Sequence, residues 1–283
     1  MAFRVRFIAA GGSGSNTNTF TGTTNTSVGF VANNTTFTDA TFSEMMNAIF
    51  VSTFISSLST NLPSSAEHGD SVSTSSATIN IATPSGATAD SLALVFIDTD
   101  SSSTSIFSGR AINSSQPQTE TFSANSVTLL IQSGQTTDSA LYRASVGTTS
   151  GTKTASDSCT VKYRVFFGAD VDYTSSNIAA NIDTLMSNLE SSALRGTEAE
   201  TTFTCTSENA SVTNRTYIVY PAVYGDLEDI SFQGEFSVKD SFTDLTDSSG
   251  VPRTTNGQSV NYRVLKSTTF GAYQSGQSII LQY

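Results

Sequence analysis

The chain has 283 residues, of which 37% are hydrophobic and only 13% charged, and its formal net charge is −11. An acidic balance without any run of Lys or Arg excludes docking to nucleic acid through its phosphates, which needs a dense basic face. No segment approaches the roughly 20 consecutive apolar residues of a membrane span, so neither nucleic acid nor membrane is an expected partner.

About a third of the residues are Ser or Thr, there are 18 Phe, and Trp is absent. Threonine suits half-exposed strands and serine suits turns, so this bias predicts many short strands with polar outer faces. Disorder would require high net charge and few aromatics, whereas 10% of this chain is aromatic. The length allows two domains or one large β unit.

In chain order, Phe3 to Ile8 alternates like a short strand and is too brief to be a signal sequence. Residues 11–27 are nearly devoid of apolar side chains and read as a Ser/Thr-rich arm. Next, Thr41 and Glu44 form a capping-box pattern, and Phe42, Met45, Met46, Ile49, Phe50, Phe54 and Leu58 recur at helical spacing before Pro63. This apolar face is wider than a surface helix needs, which makes those seven residues a candidate assembly interface or an intramolecular core.

Residues 66 to about 168 alternate in short runs: Ala77 to Ile81, Ser91 to Ile97, Ser126 to Gln132, Ala140 to Val146 and Ser158 to Phe167. Such spacing, punctuated by Gly, Ser and Asp, suits an immunoglobulin-like sandwich. A second helix is predicted over Asn177 to Arg195, with Ser175 or Ser176 as N-cap, Ile178, Ile182, Leu185, Met186, Leu189 and Ala193 on one face, and Gly196 just beyond its end.

The remainder returns to β alternation. Tyr217 to Tyr220 favours an extended backbone that Pro221 stops, Gly225 and Asp226 form a turn, and strands resume at Ile230, Phe232, Phe236, Val238, Val260 to Ser267 and Ile279 to Tyr283. Tyr217 and Val219 share one face of their strand, Ile218 and Tyr220 the other, so neither face can be wholly solvated. Tyr220 and Tyr224 join the candidate interface, since amphipathic rings are favoured there, while rings that alternate inward along a strand equally suit the second domain's own core and edge.

Few groups offer chemistry. His68 is the single histidine, so a triad or a histidine metal site lacks members; the Gly69-Asp70 pair beside it reads as a strand-initiating turn. Paired acids remain: Asp98 with Asp100, Asp226 with Glu228 and Asp229, and Asp170 with Asp172. The first two groups could serve glycoside cleavage, and Asp98 with Asp100 or Asp170 with Asp172 could hold Ca²⁺, but solvated turn acids are the commoner case. We therefore assign no catalytic, cofactor or metal residues and expect no enzyme and no cofactor. Cys159 and Cys205 fall in strands of different domains and read as free, buried thiols. The Asn-x-Ser/Thr triplets at Asn25, Asn34, Asn113 and Asn214 are chance matches in so hydroxyl-rich a chain.

Residues Tyr217, Tyr220, Pro221, Tyr224 and Gly225, then Gly234, Val238, Phe242 and Thr243, then Tyr262, Val264, Lys266 and Ser267, follow one spaced pattern. It resembles a repeat of virion structural proteins, the tail fibre, baseplate or neck appendages of tailed phages that infect cyanobacteria. Glu67 to Val72 resembles the opening of that repeat's immunoglobulin-like half, and Cys159 to Gly168 its closing strand, with His68 at a usual aliphatic position. The resemblance implies a virion protein assembled in the host cytoplasm, whose partners are further copies of itself and other virion proteins. A capsid decoration protein and an adhesin for host-surface glycan are the alternatives, with a polysaccharide-degrading tail enzyme behind them. The expected fold is mainly β: two immunoglobulin-like β-sandwich domains with two accessory helices and a Ser/Thr-rich N-terminal arm. The divisions expected are 1–65 (strand, arm and amphipathic helix), 66–170 (sandwich) and 171–283 (helix and Tyr-rich β domain).

Overall fold

The computed structural model describes residues 19–23, 36–41, 54–82, 91–148, 151–195, 200–206, 212–270 and 273–283, and they are mainly β. The first strands are β1 (Thr19–Thr23), β2 (Thr36–Thr41), β3 (Phe54–Thr60), β4 (Ser65–Glu67), β5 (Ser71–Ala82), β6 (Leu92–Ile97), β7 (Ser103–Arg110), β8 (Gln118–Thr128), β9 (Thr137–Thr148) and β10 (Gly151–Lys162). After β11 (Arg164–Val171) comes the one α-helix among the described residues, α1 (Ile178–Asn188). The chain then runs through β12 (Ser191–Leu194), β13 (Glu200–Thr204), β14 (Asn214–Pro221), β15 (Asp229–Phe232), β16 (Phe236–Ser237), β17 (Phe242–Asp244), β18 (Val251–Thr255), β19 (Gln258–Phe270) and β20 (Ser278–Gln282).

Several expectations about the first residues change. The strand Phe3 to Ile8 lies outside the described residues, as do Phe42, Met45, Met46, Ile49 and Phe50 of the expected first helix. Thr19–Thr23, placed in the polar arm, is a strand paired antiparallel with β2. Phe54 and Leu58 are not helical: they lie in β3, opposite Ala82 and Ile79 of β5. The misleading signal has a cause. A register irregularity between Ile55 and Ser57 adds a residue to β3 and interrupts the strand's alternation between Phe54 and Leu58.

Two sheets then face each other, one ordered β3-β5-β8 and the other β4-β10-β9-β6-β7. Their inward residues form one core, with Ile79 and Ile81 from one side meeting Leu92, Leu94, Phe96, Tyr142, Val146 and Val161 from the other. Alternation selects them: β6 reads Leu-Ala-Leu-Val-Phe-Ile, and its first, third and fifth residues are the fully buried ones. Phe96 and Tyr142 lie with ring centroids 5.0 Å apart, and Asn125 donates to the Tyr142 hydroxyl at 2.9 Å, which satisfies the one polar atom of that ring. Outward positions of β5 and β8 carry the hydroxyl excess, in cross-strand pairs such as Ser126 with Ser73 at 2.9 Å.

The strand expected over Ser158 to Phe167 is two strands. β10 stays with β9, whereas β11 leaves at Tyr163 and pairs with β14 in a second assembly ordered β12-β11-β14-β19-β17, with β18 also on β19. A smaller sheet, β13-β20-β15-β16, covers one face of that assembly, and α1 covers the other. The helix side buries Tyr217, Val219, Tyr262 and Val264 against Ile178, Ile182, Leu185 and Met186. Each fully buried helix residue is worth about 1.5–3 kcal/mol relative to exposure. The opposite side packs Phe167, Ile218 and Tyr220 against Phe203, Ile230, Ile279 and Leu281. This is the two-faced burial that the Tyr-Ile-Val-Tyr run requires.

The helix itself is shorter than its periodicity suggests. Asn177, not Ser175 or Ser176, is the N-cap, and its Oδ1 accepts from the Thr174 amide at 2.8 Å. At the other end Leu189 is already extended and Ser191–Leu194 pairs with Arg164–Phe167, so Leu189 and Ala193 were in phase with a helix that does not continue. Pairing with β11 outweighs the weak local preference. Gly168 permits the crossing: a Cβ there would lie 2.5 Å from the Glu190 amide nitrogen.

Tyr217 ties this region together. Its hydroxyl accepts from the Tyr173 amide and donates to the Val171 carbonyl, both at 2.8 Å, with the residue 0% exposed. Tyr217→Phe leaves a buried amide unpaired and is expected to lower the stability by about 1–3 kcal/mol, read as a lower urea midpoint at unchanged slope.

Candidate functional site

The residues that stood out in the sequence gather at two places. The first is the strand pair β14 and β19. Lys266 donates to the Asp172 carboxylate at 2.9 Å and to the Tyr173 carbonyl at 2.7 Å, pinning the loop that leads into α1. The Ser267 hydroxyl accepts from the Thr216 amide at 2.9 Å where the pairing of β14 with β19 slips, and donates to the Thr269 carbonyl. The Lys-Ser dipeptide thus fills a bulge and anchors a crossing.

Tyr220 and Tyr224, expected at an assembly interface, are 1% and 9% exposed within the chain's own core. The correction follows from alternation on a doubly covered sheet: Tyr220 points into the layer made with β15 and β20. Tyr224, on a short 3-10 turn after Pro221, packs edge-on to Tyr283 at 4.8 Å. The Arg195 guanidinium carbon sits 4.5 Å from the centroid of the Tyr224 ring and 5.0 Å from that of Tyr283, a cation–π contact with both rings. Burial pushes the Tyr220 phenol up to about 12 and the Tyr224 phenol higher still, so both phenols are neutral over ordinary pH.

Arg263 forms an ionic knot beside Tyr220. It is 8% exposed and donates to Asp244 from Nε at 3.0 Å and from Nη2 at 2.6 Å, to the Gly225 carbonyl at 3.0 Å, and to Asp226. The Arg263 hydrogen bond holds the Asp226 carboxyl below its usual value. A recess of about 440 Å³ opens here, lined by Leu227, Lys239, Asp240, Phe242 and Leu265 as well as by the ion pairs. Of the acids Asp226, Glu228 and Asp229, Asp226 accepts from Arg263, and Asp229 accepts from the Ser237 hydroxyl.

The other acids are likewise engaged. Asp98 accepts from the Thr99 amide at 2.7 Å and Asp100 from the Ser102 amide at 2.8 Å, which are turn-closing bonds. Asp170 accepts from the Val171 amide, the Tyr173 hydroxyl and the Asn188 side chain, while Asp172 pairs with Lys266 and Arg215. Among the described residues no group of three or more His, Cys, Asp or Glu is placed to hold a metal ion.

The second place is the joint between the sandwich and the layered assembly, where two separated parts of the sequence meet. β4 pairs parallel with the end of β10, and Arg164, the first residue of β11, donates from Nε to Glu67 Oε2 at 2.7 Å. His68 lies 5.0 Å from the Tyr163 ring, and its Nδ1 accepts from the Ile131 amide at 2.8 Å. Asp70 Oδ2 accepts from the Glu67 amide and Oδ1 from the Asn256 side chain at 2.9 Å, reaching across to the β18–β19 turn. Gly69 has φ +89°, and a Cβ on it would lie 2.8 Å from Asn256 Cβ, so only glycine fits. Each residue of Glu-His-Gly-Asp therefore makes a distinct contact at the joint.

Sequence reasoning recovered one side of this joint as a turn and missed the other. Asn256 and Gly257, with φ of +50° and +77°, form the tight β18–β19 turn. Asn-Gly between alternating segments is the strongest short-range hairpin signal, so it was available. Nothing local marked Arg195 as the cation that meets the Tyr224 and Tyr283 rings.

Two outcomes follow from this geometry. Gly69→Ala combines a left-handed backbone with a clash, and is expected to cost about 1–3 kcal/mol and to speed hydrogen exchange at the Gly69 and Leu129 amides, which bond across the turn. Burial pushes both the Cys159 and Cys205 thiols up to about 11, so alkylation of the folded chain near neutral pH is expected to modify neither, and denaturant to expose both. No protein-family model matches the chain, and no curated protein matches it.

Proposed function

We propose that this chain is a structural protein of a phage virion, a tail, neck or baseplate appendage that works by assembling with further copies of itself and with other virion proteins. What carries the proposal is the use made of the motif residues that resemble those of such appendages. Ser267 ties β14 to β19, Tyr217 and Lys266 hold the loop that leads into α1, His68 anchors its turn to Ile131, and Glu67, Gly69 and Asp70 reach the second unit. A chain that commits its most distinctive polar side chains to its own geometry has shape and surface to offer, which is what an assembly part requires.

The sandwich between β3 and β10 is, in this proposal, of immunoglobulin type. Its sheet orders support that: β3-β5-β8 corresponds to strands A, B and E of such domains, and β10-β9-β6 to G, F and C. The exposed Phe236 at the short edge strand β16 and Val212 beside β14 are apolar surface that neighbouring copies could cover.

Location on the particle tests the proposal. Antibody-labelled or reconstructed virions are expected to show this chain in the tail, neck or baseplate, and the isolated protein is expected to sediment as a homo-oligomer. Density confined to the capsid surface would support decoration instead. Absence from particles together with a strict monomer at high concentration would remove the proposal altogether.

A further inference from the structure

We propose that His68 is an acid-operated latch: when its imidazole takes up a proton, the Glu67–Asp70 turn lets go of Ile131 and the two β units become free to rotate about Tyr163. The geometry fixes the tautomer. Nδ1 accepts from the buried Ile131 amide at 2.8 Å, so the neutral ring carries its hydrogen on Nε2. A proton added to Nδ1 would face another N–H, destroying the bond, leaving a buried donor unpaired and placing a positive charge on a side chain that is 8% exposed.

The charged groups around the ring do little to rescue that charge. Glu67 is the adjacent anion, but its carboxylate already accepts from Arg164 at 2.7 Å. Asp70 is committed to the Glu67 amide and to Asn256, and Lys162 presents only its carbonyl, which accepts from the His68 amide. On β9, Asp138 accepts from the Gln132 amide at 3.0 Å, and the Tyr163 ring is neutral because burial raises its phenol. Desolvation outweighs the pull of Glu67, so folded His68 gives up its proton more readily than a free histidine with its value of 6.5. The sign follows. The folded chain binds fewer protons than the unfolded one, so this contribution to stability is whole above 6.5 and is lost as pH falls from there through the lower folded value.

The turn that would be released has its other side on the second unit, through Glu67 to Arg164, Gly69 against Asn256 and Asp70 to Asn256. Loss of the Ile131 anchor therefore reaches the joint directly. Because the chain has one histidine, its imidazole resonance is unambiguous.

Spin labels at Ser108→Cys and Glu235→Cys, both exposed positions in different units, report the distance across the joint, since the native thiols are buried. Lowering the pH from about 7.5 to about 4.5 is expected to broaden the distance distribution at least twofold, with a midpoint below 6.5 that coincides with the imidazole titration followed by NMR. His68→Asn keeps an acceptor for Ile131 that cannot titrate, and is expected to hold the narrow distribution throughout. An unchanged distribution in the parent chain, or the same broadening in His68→Asn, overturns the latch. Should that variant not fold, broadening in the parent chain that follows carboxyl titration and not the imidazole resonance overturns it equally.

Discussion

One residue, Tyr163, stands between β10 and β11, and it packs against all three hydrophobic clusters found among the described residues. Its carbonyl accepts from the Arg195 amide at 3.1 Å, and its ring meets His68 at 5.0 Å and Tyr224 at 6.1 Å. A single residue is too short to act as a flexible linker, so the sandwich and the layered assembly must adapt to one another at this point. The joint supplies that adaptation with one ion pair, one side-chain hydrogen bond across the units and one glycine contact.

The hydroxyl-rich composition has a related physical consequence. A sheet face covered by Ser and Thr gains modest cross-strand hydrogen bonds and no strong apolar contact, so the outer faces contribute little to stability. Cohesion has to come from inside, and here it comes from rings. Phe167 stacks on Phe203 and meets Tyr273 at 5.0 Å, and Phe166 meets Tyr262 edge-on at 6.1 Å. Tyrosine serves this role where phenylalanine could not, because the Tyr217 hydroxyl closes a loop carbonyl and a loop amide at the same time.

Much of the β character was legible because alternation survives in long strands. The runs Ala77 to Ile81, Ala140 to Val146 and Val260 to Ser267 all lie within observed strands, and the split of Tyr217 and Val219 from Ile218 and Tyr220 onto opposite faces is as the period of two requires. Where alternation was interrupted, the sequence misled. The bulge in β3 breaks its period of two, and Leu189 and Ala193 continue the phase of α1 after the backbone has become extended. In both cases a long-range partner, β5 or β11, decides the conformation, and no local window contains it. The joint was half legible for the same reason: Gly69-Asp70 announces a turn, but its contact with Asn256 spans 186 positions of sequence.

The aromatic strand shows why conspicuous residues need not be surface residues. Large rings on both faces of β14 look like a contact surface as long as only one covering layer is imagined. With α1 on one side and β15 and β20 on the other, the same rings become the middle of a three-layer assembly, and the candidate interface moves elsewhere. Among the described residues, what remains outside is largely hydroxyl-rich, with a few apolar side chains such as Val212 and Phe236 exposed. Specific association of such a surface must rest on shape presented at a fixed angle, and that angle is set where Tyr163, Arg164 and the Glu67–Asp70 turn meet. The energetics of the joint and the selectivity of any assembly built from this chain are therefore the same question, because a change of angle at Tyr163 would move every outer face of one unit relative to the other.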